Sequence, residues 1–504
     1  MKMAHVKKIA AALLGLLGGF AAAQAQDPNY WSWSPTPPMG WNSWDCYGAG
    51  VWESNVVANA EYIDKNLKSH GWNLVTIDIQ WYEPLAHTDR YRRGAWVQMD
   101  ENGRLLPAPN RFPMTAESNS FKAMGDYLHA KGLKFGLHIM RGIPRQAVSN
   151  NVVILGTEKL KEGGIHAADI IFPNGANSCG WNQDMYGVDM SKPGAQEYYD
   201  SVYKLMASWG LDFVKVDDLA GKRPEIEAIR HAIDKCGRPI LLSISMGSGP
   251  NDGAFLETNA NLWRISFDFW DNWPALYNQF ANLDGHQPYQ GPGHWPDADM
   301  LPFGHLQVWK VDPPHQTLFT KDEQTTVMTL WSIARSPLIV GAELPDNDAF
   351  TLSLMTNDEV IAVDQASINN HQVYSISNHV AWVADMPNSK DKYVALFNTS
   401  PAPPPGGGRR GRGGFGGFGG ARGTNAPVTN APVVVAPVMN TPVAVDPAAK
   451  LPAEVSFALA DIGITGSATV RDLWNQKDLG SVTGKVSATV NSHGAVLLRI
   501  HPEN

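Results

Sequence analysis

Between Thr36 and Gly341 short apolar runs alternate with stretches in which apolar residues recur every three or four positions. The short runs read as strands and the longer stretches as helices. Residues 39–44 are a first strand. Val56, Ala60, Ile63 and Leu67 share a helical face, with Ser54 as the cap and Gly71 as the stop. Strand 74–78, helix 121–130 and strand 134–140 follow, and a helix opened by Pro193 in its first turn runs to Trp209 and into a strand ending at Asp217. Helix 224–235 leads to strand 240–245, and further strands are predicted around Arg264, at 299–301 and, after helix 324–334, at 337–341. Eight strands separated by helices predict a TIM barrel, whose functional site lies at the C-terminal ends of its strands.

Beyond Asp364 the period falls to two, in short segments at 381–385, 393–398, 454–459, 469–473 and 496–500. These predict a small antiparallel β-domain. A low-complexity insertion at 401–450, Gly/Arg-rich and then Ala/Pro/Val-rich, interrupts it and is expected to be disordered because it cannot bury a core. Its Arg-Gly-Gly repeats also occur in RNA-binding tails, but the formal charge of -9 argues against nucleic acid as a partner. The division expected is a signal peptide over 1–25, a barrel over 26–366 and a β-domain over 367–504. Lys2, Lys7 and Lys8, the apolar run 9–20 and Ala23-Gln24-Ala25 carry the signal-peptide reading. That run is too short to span a bilayer comfortably, so a soluble secreted or periplasmic protein is expected. Cys46, Cys179 and Cys236 show no zinc spacing and allow at most one disulfide.

The chemistry concentrates at strand ends. In the strand reaching Asp217, alternation puts Phe213, Lys215 and Asp217 on one face and Val214 and Val216 on the other. Lys215 and Asp217 alone could be a structural ion pair. A second stretch repeats the arrangement, with Arg264, Ser266 and Asp268 on one face and Ile265 and Phe267 on the other. Two inward carboxylates at the ends of two strands suit glycoside hydrolysis, where they stand roughly 5 Å apart in a retaining enzyme. Lys215 beside Asp217 would favour its ionised form, and Arg264 is expected against Asp217 rather than Asp268. His138 could carry a proton, but a hydrogen-bond donor lining the pocket is the favoured reading. Asp78, Asp297 and Asp299 lack the close ligand ladder of a calcium loop, so no metal or other cofactor is expected.

Five ordered stretches together resemble glycoside hydrolase family 27, the α-galactosidase or melibiase family. They are Pro37-Pro38-Met39-Gly40-Trp41-Asn42-Ser43-Trp44, Lys215-Val216-Asp217, the run from Arg264 to Asp268, the run from Gly291 to Leu301, and residues 326–337 with 357–365. The resemblance covers the chain from Pro37 onward apart from the insertion. It implies a barrel followed by a β-sandwich, retention of anomeric configuration and a carbohydrate substrate. By position, Asp217 resembles the nucleophile and Asp268 the acid/base, while Trp44, Asp78, Lys215, Arg264 and Asp299 resemble sugar-contacting residues. The chain departs from the family pattern at Ile79, where many members carry a second acid after Asp78, and at Gln80 and Leu219, where cysteines are frequent. Ser245 stands where galactose-specific animal enzymes have a bulky acid, which leaves space near the 2-substituent of the sugar. The leading expectation is an exported α-galactosidase. The alternatives are a relative acting on an α-N-acetylgalactosaminide, a β-L-arabinopyranoside or an α-glucoside, and a non-catalytic sugar binder on the same scaffold.

Overall fold

The computed structural model describes residues 28–503 except 88–90, 93, 246, 309–314 and 404–450, so the expected signal peptide and nearly all of the insertion lie outside the described residues. Eight parallel strands form the first sheet: β1 (Met39–Asn42), β2 (Leu74–Ile77), β3 (Lys134–Met140), β4 (Phe213–Asp217), β5 (Leu241–Ile244), β6 (Leu262–Arg264), β7 (Trp295–Asp297) and β8 (Leu338–Val340). They pair in chain order, and β8 returns to β1 through Met39 against Leu338. The ring closes just past β7, where Leu301 N–H donates to Ile339 O at 2.7 Å and Gly341 N–H to Leu301 O at 3.0 Å.

The expected alternation holds in β4. Val214 and Val216 join the core between sheet and helices, while Phe213 packs in a separate cluster with Leu74, Leu241, Leu262, Trp295, Met300 and Ile339. Most of that cluster comes from the first residue of its strand, so it fills the barrel at the N-terminal ends and leaves the C-terminal mouth to polar side chains.

Two expected strands are corrected. The seventh is Trp295–Asp297, not 299–301, which instead supplies the closing bonds. The sixth ends at Arg264, so Ser266, Phe267 and Asp268 occupy a turn, and Phe267, placed on one strand face with Ile265, is 74% exposed while Ile265 is buried. The physical reason is lateral: the turn bonds and packs against the loop after β5 and helix Trp273–His286 instead of a neighbouring strand. The helix expected at 324–334 starts earlier, at Lys321, and two other helix starts also move. Gly194, in the left-handed region at φ +91°, caps Ala195–Ser208 and leaves Pro193 outside it. Trp52 stands at the cap position before Glu53–Tyr62, its N–H donating to Asn55 Oδ1, which leaves Ser54 inside the helix.

From Ile368 the chain builds β9 (Ile368–Ile376), β10 (His379–Asp385), β11 (Lys392–Asn398), β12 (Ala453–Ala458), β13 (Ser467–Asp472), β14 (Lys477–Thr483), β15 (Lys485–Val490) and β16 (Ala495–Pro502). Six form one antiparallel sheet in the order β9-β10-β11-β16-β13-β14, and β12 pairs β15 separately. Alternation along β10 and β11 decides what each face covers. Ala381, Val383, Val394 and Leu396 pack with Val455, Phe457, Val486 and Val490 of the small sheet, which makes a sandwich. Trp382, Ala384, Ala395 and Phe397 face the other way and merge with the barrel core. All three cysteines are free thiols, and among the described residues no helix is long and apolar enough to cross a membrane.

Candidate active site

Seven of the residues singled out in the sequence meet at the barrel mouth in two linked groups, Asp78, His138, Lys215 and Asp217 in one and Arg264, Asp268 and Asp299 in the other. Asp78 follows β2 directly. Its N–H donates to Ser43 Oγ at 2.9 Å, its Oδ1 accepts from Ile79 N–H at 2.8 Å, and its Oδ2 accepts from Asn42 Nδ2 at 2.9 Å and Lys215 Nζ at 3.1 Å. Burial opposes the Asp78 charge, but Lys215, His138 and these donors outweigh it and bring the carboxyl down to about 2. Burial likewise works against the Lys215 ammonium, yet Asp78 and then Asp217 hold its pKa above the usual lysine range.

Asp217 closes β4. His138 Nε2 lies 3.3 Å from its Oδ2 and 4.0 Å from Asp78 Oδ1, and Asp218 N–H donates to Asp217 Oδ1 at 2.8 Å. A nitrogen facing two carboxylates is the protonated one, so His138 Nε2 donates to Asp217. Burial would push the Asp217 carboxyl up; the His138 bond, helped by Lys215, brings it below the usual carboxylate range. The direct partner of Asp217 is therefore His138, while Lys215 pairs with Asp78.

Arg264 organises the opposite side. It lies 2.6 Å from Asp299 Oδ2 and 3.5 Å from Asp268 Oδ1, so the expected pairing with Asp217 is corrected to Asp299 and Asp268. A guanidinium at the end of β6 meets the acids its own turn and β7 present, whereas β4 lies two strands away. Asp299 also accepts Phe269 N–H at 2.7 Å, and burial, reinforced by Asp268 and Asp297 against the pull of Arg264, takes its carboxyl up to about 6. Asp268 itself is 55% exposed in its side chain. Asp217 and Asp268 thus differ in kind: one is buried and held ionised, the other stands in a solvated turn.

Ser245 is buried just past β5, with its Oγ unpartnered. Trp44, at the start of a short helix after β1, stacks on Tyr91 at 5.2 Å and 14°, and Tyr91 meets Trp181 at 5.2 Å. Burial raises the Tyr91 phenol well above its usual range, with Asp217, Asp268 and Asp78 adding to it. Tyr91 and Trp181 were not picked out from the sequence. They sit in long irregular segments that carry no period, although such loops at this barrel face are where binding residues concentrate. Asn42 and Ser43 were legible only as part of a motif. Gln80 (φ +64°), Asp218 (φ +63°) and Asp299 (φ +86°) hold left-handed backbone just past β2, β4 and β7. Such conformations cost of order 1–3 kcal/mol each and cluster at functional sites.

A family model described as Alpha galactosidase A matches residues 145–366, and one described as Alpha galactosidase C-terminal beta sandwich domain matches 426–500. The chain is 44% identical to a family 27 β-L-arabinopyranosidase of Geobacillus stearothermophilus, with a TM-score of 0.81 over 94% of this chain and 98% of that one. It is 39% identical to a Bacillus halodurans C-125 structure proposed to be an α-N-acetylgalactosaminidase, with a TM-score of 0.74 over 93% and 97% of the two chains. An α-galactosidase of Cyamopsis tetragonoloba is 24% identical over 93% of this chain and 87% of its own length.

Proposed function

Because the chain belongs to glycoside hydrolase family 27, we propose that this glycosidase is an exported, retaining β-L-arabinopyranosidase that turns over α-galactosides more slowly. β-L-Arabinopyranose has the ring hydroxyl arrangement of α-D-galactose and lacks the hydroxymethyl group. The observation that carries the choice is Ile79: it follows Asp78 at the end of β2, is completely buried, and offers no side-chain donor or acceptor. A site that hydrogen-bonds a substrate hydroxyl discriminates strongly, and a hydrocarbon at the position where many family members carry an acid has nothing with which to reward the hydroxymethyl oxygen. The similarity to the Geobacillus enzyme supports the same reading.

In the mechanism Asp217 attacks the anomeric carbon and forms the glycosyl ester while the bond to the leaving oxygen breaks, and Asp268 donates its proton to that oxygen. Asp268 then takes a proton from water, which attacks the anomeric carbon from the side the leaving group left, so that the ester bond to Asp217 breaks and the sugar is released with its configuration retained. His138 and Lys215 keep Asp217 ionised for the first step. Asp78 with Lys215, and Arg264 with Asp299, offer paired acceptors and donors to the ring hydroxyls, and the Trp44 indole covers an apolar face of the sugar. Export rests on the N-terminal pattern of lysines, apolar run and small residues.

The test is kcat/KM on 4-nitrophenyl β-L-arabinopyranoside and α-D-galactopyranoside for wild type and Ile79→Asp. A charged hydrogen bond contributes about 1.5–3 kcal/mol, so the substitution should move the ratio about 10- to 100-fold toward the galactoside. A wild type that prefers the galactoside, with a ratio that Ile79→Asp leaves alone, would sink the reading.

A further inference from the structure

Phe267 is the most exposed large apolar side chain among the described residues, at 74%, and it immediately precedes Asp268. Its backbone is fastened on every side. Ser266 Oγ donates to Phe267 O at 2.8 Å and accepts from Gln279 Nε2 at 2.8 Å, Ser248 N–H donates to Arg264 O at 2.9 Å, and Phe269 N–H is held by Asp299. Gly247 lies flat against this turn; a Cβ there would come within 2.5 Å of the Ser266 carbonyl carbon. A braced turn therefore holds a benzene ring out in water beside the exposed carboxyl of Asp268.

We infer that Phe267 is the binding platform for the leaving group. The inference rests on the role proposed for Asp268: its proton goes to the glycosidic oxygen, so whatever departs on that oxygen lies along the same turn. A ring that is dehydrated on contact with a flat apolar face gains area burial and aromatic contact together. The ligand is thus a leaving group that is itself a six-membered ring with an apolar face, either a pyranose or a phenol.

The experiment compares wild type, Phe267→Ala and, as an exposed apolar control in the second domain, Leu479→Ala. Substrates share one glycone, β-L-arabinopyranosyl, and carry methyl, phenyl or galactosyl leaving groups; a parallel α-galactosyl set covers the other sugar. Phe267→Ala should lower kcat/KM about 3- to 10-fold on a ring leaving group, mainly through KM, and leave the methyl glycoside within twofold. Loss on phenyl alone identifies the ring as a phenol, and loss on galactosyl alone as a sugar. Equal loss on methyl and ring substrates would show that Phe267 only positions Asp268, and no loss on either ring overturns the platform. A change in sedimentation mass for Phe267→Ala also overturns it, assigning the side chain to a contact between copies. Should wild type act only on the α-galactosyl set, the sugar assignment fails while the platform is still tested there; if neither set is turned over, both fall.

Discussion

Asp217 keeps a charge in a buried site because His138, Lys215 and the Asp218 N–H together overcome desolvation. As the proposed nucleophile it cannot be replaced by an amide: Asp217→Asn should abolish turnover of aryl glycosides while leaving the melting temperature within a few degrees. His138→Ala removes the hydrogen bond that lowers this carboxyl, so its pKa rises and the acidic limb of kcat/KM should move to higher pH; an unmoved limb would show that Lys215 alone suffices. Asp78 carries a stability signature. Its pKa falls from 3.8 in the unfolded chain to about 2 in the fold, so its contribution is present above pH 4 and lost as pH drops through 2. That contribution is about 2 kcal/mol, and Asp78→Asn should flatten the dependence of urea midpoint on pH in this window. At this scale the sequence was informative about identity and poor about partners. Asp78 and Asp217 could be picked from strand ends, Lys215 and Arg264 from strand faces, and Asp299 through the family resemblance, but whether a lysine pairs two residues along its own strand or across to β2 depends on barrel curvature that no local pattern records.

Among the elements, β4 was legible because its two faces see two different apolar surroundings, which forces strict alternation from Phe213 to Asp217. The stretch after Arg264 was misread for the opposite reason. Its alternation of Ile265 and Phe267 with polar residues imitates a strand, while the contacts that make it a turn come from Gly247, Gln279 and Asp299, distant in sequence. Tyr91 and Trp181 were invisible because a tilted ring contact between two loops leaves no period in either. Close approach at the mouth gives a test of the geometry. Gly341 follows β8 and packs directly on the Asp45 carboxyl, where a Cβ would overlap Oδ2. Gly341→Ala should therefore cost about 1–3 kcal/mol, seen as a lower urea midpoint at unchanged slope, although the backbone there suits any residue.

For the whole molecule, the sandwich is seated on the barrel by specific contacts as well as by the shared apolar face. Trp474 Nε1 donates to Thr329 Oγ1 at 2.8 Å, Arg471 reaches Glu359 at 2.7 Å, and His493 stacks on Trp273 at 3.6 Å. Helix Lys321–Ala334 carries Thr329 of the seat and Trp331, whose Nε1 donates to Asp299 O at 2.9 Å, so seat and site share one element. Wild type should unfold in a single transition by calorimetry, and Trp474→Ala should lower its midpoint by several degrees; two transitions in wild type would show that the domains melt apart. The two-domain plan was legible from the change of period past Asp364, whereas the seat was not: Thr329 lies in the stretch 326–337 that carries the resemblance, but Trp474 belongs to no motif and neither stretch records their contact. The central claim, a retaining enzyme with a preference for the sugar lacking the hydroxymethyl group, is met most directly by one competition. An equimolar mixture of 4-nitrophenyl β-L-arabinopyranoside and α-D-galactopyranoside is given to wild type and followed by 1H NMR. The account predicts that the arabinoside is consumed first and that β-L-arabinopyranose appears before its anomer; prior loss of the galactoside, or first appearance of the α-anomer, would contradict it.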